Sequence, residues 1–334
     1  MRSGASFDGR RFKCAAQRND PSDRPCRGSD GVRRRKENMT KQTIGMIGVG
    51  MMGHGIASNI VAAGWPLFYL HHEGNQSTDD LDQAGAKRES DASTLVSKID
   101  ILILCVTGSR EIKAILTGED DLVAKLRPGT IVVDCSTGIP SETRRVAERI
   151  AAAGCCFVDA AMTRTPAEAK AGRLNLLIGG DLEVVEALTP LLETFSENRF
   201  HAGAVGAGQT LKLLHNYVSL GTAVVVAEAA ACAAESGIAA EVLVDCLKRG
   251  GGYGAALDRM APFILSKDVS AMRFSNANAL KDIGYYQSLV AETGARHEAA
   301  KGILAALEWL NHNGHGGRMM PEACDAFREA KMAP

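Results

Sequence analysis

Aromatic residues are scarce in this chain, at 5% of 334 positions, although 46% of its residues are hydrophobic. Its cores must be built from aliphatic side chains and alanine, and small residues suit close helix packing and tight turns. Paired cysteines are also missing. The nine cysteines stand at 14, 26, 105, 135, 155, 156, 232, 246 and 324, and none form a Cys-x-x-Cys pair. Several fall in apolar runs, such as Cys105 in ILILCV and Cys232 in AAACAA. This excludes a disulfide-stapled secreted domain and predicts reduced, mostly buried thiols in a cytoplasmic protein. Metal-ligand spacing is absent: His312 and His315 only flank a glycine-bearing loop, so no metal site is expected. No apolar run reads as membrane-spanning, so no membrane partner is expected. Net charge is nearly absent at −1, but residues 1–38 balance at +6 and the remainder at −7. A mildly acidic body of this kind does not favour nucleic acid as its main partner. Internal repeats are lacking as well.

What is present begins with a basic extension. Residues 1–38 are rich in Arg, Gly, Ser and Asp without a hydrophobic period. They cannot bury enough surface to offset the entropy of ordering, and they lack the apolar middle of a secretory signal. The expectation is a disordered tail or a start-site artefact, with the functional protein beginning near Met39.

From Thr43 a short apolar strand runs into Gly48-Val49-Gly50-Met51-Met52-Gly53, then a helical stretch closed by Gly64, then the strand-like PLFYLH. A strand, a G-x-G-x-x-G turn, a helix and a second strand form the context in which this glycine spacing binds a dinucleotide. Gly48 permits the turn, Gly50 lets the backbone approach a pyrophosphate, and Gly53 lets helix and strand pack closely. Met51 and Met52 lie in the cradle, and the phosphates sit at the helix N-terminus. The second strand ends in His71-His72-Glu73. Glu73 would hold the ribose hydroxyls, which favours NAD, while the two histidines leave NADP as the alternative.

The βα rhythm continues through DILILCV, TIVVDCST, CCFVDAAMT, LNLLIGG and a short strand near Arg199–Ala202. Continuous apolar runs are those of strands buried on both faces. Ligands of such sheets gather beyond the carboxyl ends of the strands. Val106 and Thr107 should therefore approach the cofactor, with Ser136, Thr137, Thr163 and Arg164 near its nicotinamide end. After Gly206 strand signals vanish. The expected organisation is a dinucleotide-binding α/β domain at 39–204 followed by an all-α domain at 205–334. The second domain opens with one long helix ended by Gly237 and continues with helices near 241–248, 255–263, 277–292, 297–312 and 321–331. That first helix is apolar nearly all round and should be buried, partly by the first domain and partly by other helices or a partner subunit; one small helical domain can hardly cover it, which suggests a homodimer or homotetramer.

One stretch of it, GQTLKLLHN, carries Lys212 and Asn216 one turn apart, with Gly208 a turn earlier. Residues four apart share a helix face. A polar face here is either solvated or the floor of a cleft.

Four motifs resemble the β-hydroxyacid dehydrogenase family, whose members include 3-hydroxyisobutyrate dehydrogenase and tartronate semialdehyde reductase. They are GVGMMGHGIASNIVAAG, DCST at Asp134–Thr137, FVDAAMTRTPAEAKAGRL, and Gly208-x-x-x-Lys212-x-x-x-Asn216, with LKDI a smaller fifth element. The resemblance spans about Thr43 to Asp282. It implies a Rossmann domain with a helical second domain and an NAD(P)-dependent enzyme that interconverts a short 3-hydroxy acid and its semialdehyde. It also implies that Lys212 is the general acid/base, that Ser136, Thr163 and Asn216 bind substrate, and that Lys281, held by Asp282, lines the cofactor or substrate side. The chemistry makes the same demand. Hydride delivered to a carbonyl leaves an alkoxide that needs a proton, and a lysine inside a closed cleft gives up its proton more readily than in water. The sequence departs from the family where Arg164 replaces a glycine of the substrate loop. Arg164 is then either solvated or a fork for an anionic group such as a second carboxylate or a sulfonate. Two other readings compete: an imine reductase of the same fold, which generally lacks this lysine, and a dinucleotide-binding protein without chemistry.

Overall fold

The computed structural model describes residues 42–73 and 76–330; the expectation for residues 1–38 lies outside them. Eight strands form one sheet in the order β3-β2-β1-β4-β5-β6-β7-β8. They are β1 (Ile44–Ile47), β2 (Leu67–Leu70), β3 (Lys87–Glu89), β4 (Ile101–Leu104), β5 (Ile131–Asp134), β6 (Cys156–Thr163), β7 (Leu174–Gly179) and β8 (Ser196–Gly203). Neighbours pair in parallel except β6 and β7, which are antiparallel with Asp159 opposite Gly179. Between and around the strands lie α1 (Gly53–Ala62), α2 (Asp79–Gln83), α3 (Ala92–Ser97), α4 (Ser109–Thr117), α5 (Leu122–Lys125), α6 (Pro140–Ala152), α7 (Pro166–Lys170) and α8 (Leu182–Leu192). β1, β4 and β5 are buried at every residue. Their uninterrupted Ile/Leu/Val character follows from helices on both faces, whose aliphatic side chains form two cores around the sheet. The sheet edge at β3 is Lys-Arg-Glu. Its charges suit an edge and explain why no strand was expected there.

The helical part comprises α9 (Ala207–Glu235), α10 (Ala240–Arg249), α11 (Ala255–Ser266), α12 (Asn276–Thr293), α13 (Glu298–His312) and α14 (Ala323–Glu329). They enclose a third core of Leu, Ala and Met side chains that includes Leu220, Leu257, Met260, Ile283 and Leu307. α9 is the expected long helix, of 29 residues, followed by Gly237 at φ +74°. One expectation about it needs correction. It is long and apolar enough by composition to cross a membrane, whereas no run of that length was expected. Within one chain Leu214, Val218 and Val225 are 44%, 66% and 57% exposed. Cys232, expected inside, is exposed on the same helix, and Cys246 on α10 is exposed too.

Candidate active site

The first half of the site is backbone. Gly48 sits at φ +99°, in the region that favours glycine, and a side chain there would run into the carbonyl of Cys105. A side chain at Gly53 would run into the carbonyl of Gly48, while a Cβ at Gly50 would meet nothing within 4 Å. The cradle is therefore tight on its two outer glycines and open at the middle one, which leaves the space a pyrophosphate needs beside the N-terminus of α1. Met51 is exposed and Met52 half-buried at that turn. Glu73 is exposed in the turn after β2, the strand that pairs with β1.

Hydrogen bonds draw the next expected residues together. The Val106 amide donates to Ser136 Oγ at 3.0 Å, and the Ser136 amide donates to Asp134 Oδ1 at 2.9 Å. Thr137 is half-buried between Ser136 and Gly138. Across from these loops, Lys281 Nζ donates to the carbonyl of Thr107 at 2.5 Å and lies 3.0 Å from Asp282 Oδ1. One turn on, Tyr285 stands so close to the same loop that a Cβ at Gly108 would come within 2.5 Å of its hydroxyl. Lys281 and Tyr285 thus tie α12 to the end of β4.

The first turn of α9 explains Gly208. A side chain there would run into the carbonyl of Leu177 and come within 2.8 Å of Asp159 Oδ2. Its absence lets the helix start directly on the sheet. Asp159 accepts hydrogen bonds from the amides of Gly206 and Gln209, each at 2.8 Å, so a carboxylate from β6 caps this helix N-terminus. Gln209 in turn accepts from the Gly138 amide at 2.8 Å and donates to the Ser136 carbonyl at 3.0 Å. Asp159 and Gln209 were not anticipated. Their partners are distant in sequence, and no local pattern marks them. Burial raises the carboxyls of Asp134 and Asp159 to about 6.

One turn further along α9, Lys212 is half-buried with no ion pair or hydrogen bond. Removal from water lowers its pKa to about 8; Asp282 works against that shift, and the like charges of Lys281 and Arg259 add to it. Asn216 is buried, donates to Asp282 Oδ2 at 2.7 Å, and its Oδ1 lies 3.0 Å from His215 Nδ1. Lys212, Asn216, Asp282 and Lys281 therefore form one cluster, linked through Thr107 to the β4 loop.

The end of β6 contributes Thr163, buried, whose hydroxyl accepts from Asn175 at 3.0 Å, and a loop follows it. α7 in this loop docks on α1: a Cβ at Gly55 would come within 2.6 Å of the Lys170 amide nitrogen, and Asn59 Nδ2 donates to the Ala169 carbonyl at 2.9 Å. Arg164 fits neither reading of the sequence. It occupies φ +84°, in the left-handed region, and its guanidinium is held by Glu197 and by the Arg173 carbonyl. It is partly exposed, and its guanidinium is engaged by these two partners. The backbone turn aims its side chain toward β8.

A glycine cradle at the end of β1, together with a half-buried lysine of depressed pKa on the helix that packs against the sheet, is the equipment of an NAD(P)-binding oxidoreductase. Residues 43–203 match the family model described as the NAD binding domain of 6-phosphogluconate dehydrogenase, and residues 206–323 the NAD-binding domain of NADP-dependent 3-hydroxyisobutyrate dehydrogenase. The chain is 32% identical over 261 residues to the NAD-dependent L-serine dehydrogenase of Pseudomonas aeruginosa, covering 77% of this chain and 85% of that one. It is 30% identical over 221 residues to the 3-hydroxyisobutyrate dehydrogenase of the same organism, covering 66% and 74%. Among solved structures it is similar to Mycobacterium tuberculosis 3-hydroxyisobutyrate dehydrogenase, with a TM-score of 0.77 at 24% identity, covering 86% and 99%. The chain belongs to the β-hydroxyacid dehydrogenase family and is an NAD(P)-dependent hydroxyacid dehydrogenase.

Proposed function

We propose that this enzyme interconverts a short 3-hydroxy acid and its semialdehyde, with Lys212 as general acid/base. The observation that carries the reading is a lysine without an ion partner, depressed to about 8, clustered with Asn216, Asp282 and Lys281, the last of which reaches the loop after β4. The nicotinamide cofactor supplies or takes the hydride. Lys212 gives its proton to the oxygen of the reduced carbonyl, or removes one from the hydroxyl in the reverse direction. Its position on a helix packed against the sheet fixes its distance from that oxygen. Asn216, oriented by Asp282, keeps an amide hydrogen for the substrate, and Ser136 and Thr163 keep hydroxyl protons for its carboxylate. Gly48, Gly50, Met51 and Met52 hold the pyrophosphate; Val106, Thr107, Thr137 and Lys281 border the nicotinamide half. Glu73 holds the ribose, which makes NAD our preferred cofactor over NADP.

The exposed stripe of Leu214, Val218 and Val225 supports a homo-oligomer, with a second copy covering α9. Exposed Cys232 and Cys246 thiols suit a reducing, cytoplasmic compartment. The activity is tested by following nicotinamide absorbance with both cofactors and a panel of C3–C4 semialdehydes and hydroxy acids. Turnover of one acid pair supports the reading. Reduction of cyclic imines with no turnover of any acid would place the chain with imine reductases instead.

A further inference from the structure

Five lysine or arginine residues are less than fully exposed among the described residues: Arg164, Arg199, Lys212, Arg259 and Lys281. Three have a carboxylate: Arg164 pairs with Glu197, Arg199 with Glu193, and Lys281 with Asp282. Lys212 and Arg259 have neither an ion pair nor a hydrogen bond. They are also neighbours. Arg259, on α11, lies in electrostatic range of Lys212 and His215 on α9 and of Glu168 in the loop after β6. α11 packs against α9, so Arg259 stands within charge range both of the helix turn that carries Lys212 and of the segment after β6. A half-buried cation without a partner is unfavourable. Lysine can relieve this by losing its proton; arginine cannot. Glu168, the carboxylate within its charge range, is held by the Thr165 amide and hydroxyl and makes no ion pair with Arg259, which keeps its donors for an anion from outside the fold.

We propose that Arg259 is the substrate's anion-binding and specificity-determining residue. It grips the acid group of a short hydroxy acid or semialdehyde in a two-point fork while Lys212 addresses the reacting oxygen. The role that the sequence suggested for Arg164 falls to Arg259, because Glu197 already occupies the Arg164 fork. This assignment rests on the dehydrogenase reading above for its chemistry, but the anion site itself does not need turnover to be detected.

The test uses malonate, a small dicarboxylate, titrated calorimetrically into the full chain loaded with the oxidised cofactor. Malonate should bind the wild type. Arg259→Gln should weaken it roughly 10- to 100-fold, as expected for lost charge-assisted hydrogen bonds, and Arg259→Lys should recover part of the loss. In turnover, Arg259→Gln should raise KM for an acid semialdehyde by a similar factor and change kcat much less, and it should raise KM for an acid semialdehyde far more than for an uncharged aldehyde. Of the charges facing Lys212, namely Asp282, Lys281, Arg259 and His215, removing Arg259 deletes a repulsive one, so the alkaline limb of the reduction should move to higher pH. The melting temperature should hold or rise, whereas an arginine with a structural role would lower it. No malonate binding to the wild type, or an unchanged affinity, KM and pH limb in Arg259→Gln, overturns the proposal. Malonate binding lost in Arg259→Gln, in a wild type that turns over no hydroxy acid, would uphold the anion site and remove the dehydrogenase reading.

Discussion

Two polar clusters sit within consecutive turns of α9, and they are built on opposite terms. At the first turn, Asp159, Gln209 and Asp134 are buried, and each hydrogen-bonds within the fold to backbone amides, a carbonyl or one another. At the next turn, Lys212 has no ion pair and faces Arg259, which has none either. Satisfied buried groups hold a structure in one arrangement; groups left unsatisfied in a cleft are available to a ligand. The first cluster is a seam that joins the helical domain to the end of β5 and the middle of β6. The second is, on our proposal, the chemistry that the seam positions.

The contrast is broken most severely at Lys212. Lys212→Ala should lower the turnover rate about 10²- to 10⁴-fold, the usual loss for a missing general acid, while calorimetric melting stays near that of the wild type. A melting temperature that fell with activity would make Lys212 part of the seam. Asp159→Ala should do the reverse. It strips two helix amides of their acceptor and should cost about 2–3 kcal/mol of stability, read by urea denaturation, with residual activity in proportion to the folded fraction. Gln209→Ala removes one acceptor and one donor and should cost about 1–2 kcal/mol; an unchanged midpoint would show that water replaces it.

A smaller effect comes from pH. Asp134 and Asp159 have folded-state pKa values raised to about 6, above their ordinary value. The folded state binds these protons more tightly than the unfolded state. Their contribution to stability is therefore full below about pH 4 and lost as pH rises through 6. The melting temperature should rise modestly from pH 7 to pH 5, and less so in Asp159→Ala.

The cradle and the cleft also differ in how far they could be read in the sequence. Gly48, Gly50 and Gly53 act within six residues of one another, and the strand and helix around them are local patterns, so their roles were legible at once. Lys212 and Asn216 were legible as a helix face, and their setting through a family likeness. The seam was not. Asp159 meets Gln209 from 50 residues away, and an aspartate inside an apolar strand has no pattern that predicts a cap. The reversal of β7 was hidden for the same reason: an apolar run has no direction. Arg164 misled because its pairing with Glu197 depends on a left-handed turn and on β8 lying beside β7. Arg259 gave no signal in an ordinary helix; only its lack of a partner sets it apart.

The most direct test of the account is the pH dependence of kcat/KM for the semialdehyde at saturating reduced cofactor. Lys212 must be protonated to donate, so the rate should be level at neutral pH and fall above a limb near 8, with the limb absent in Lys212→Ala. In the oxidation direction the same group must be neutral, and the limb should reverse its sense. A profile with no limb between pH 7 and 9, or one unchanged in Lys212→Ala, would contradict the assignment of Lys212 as the proton donor.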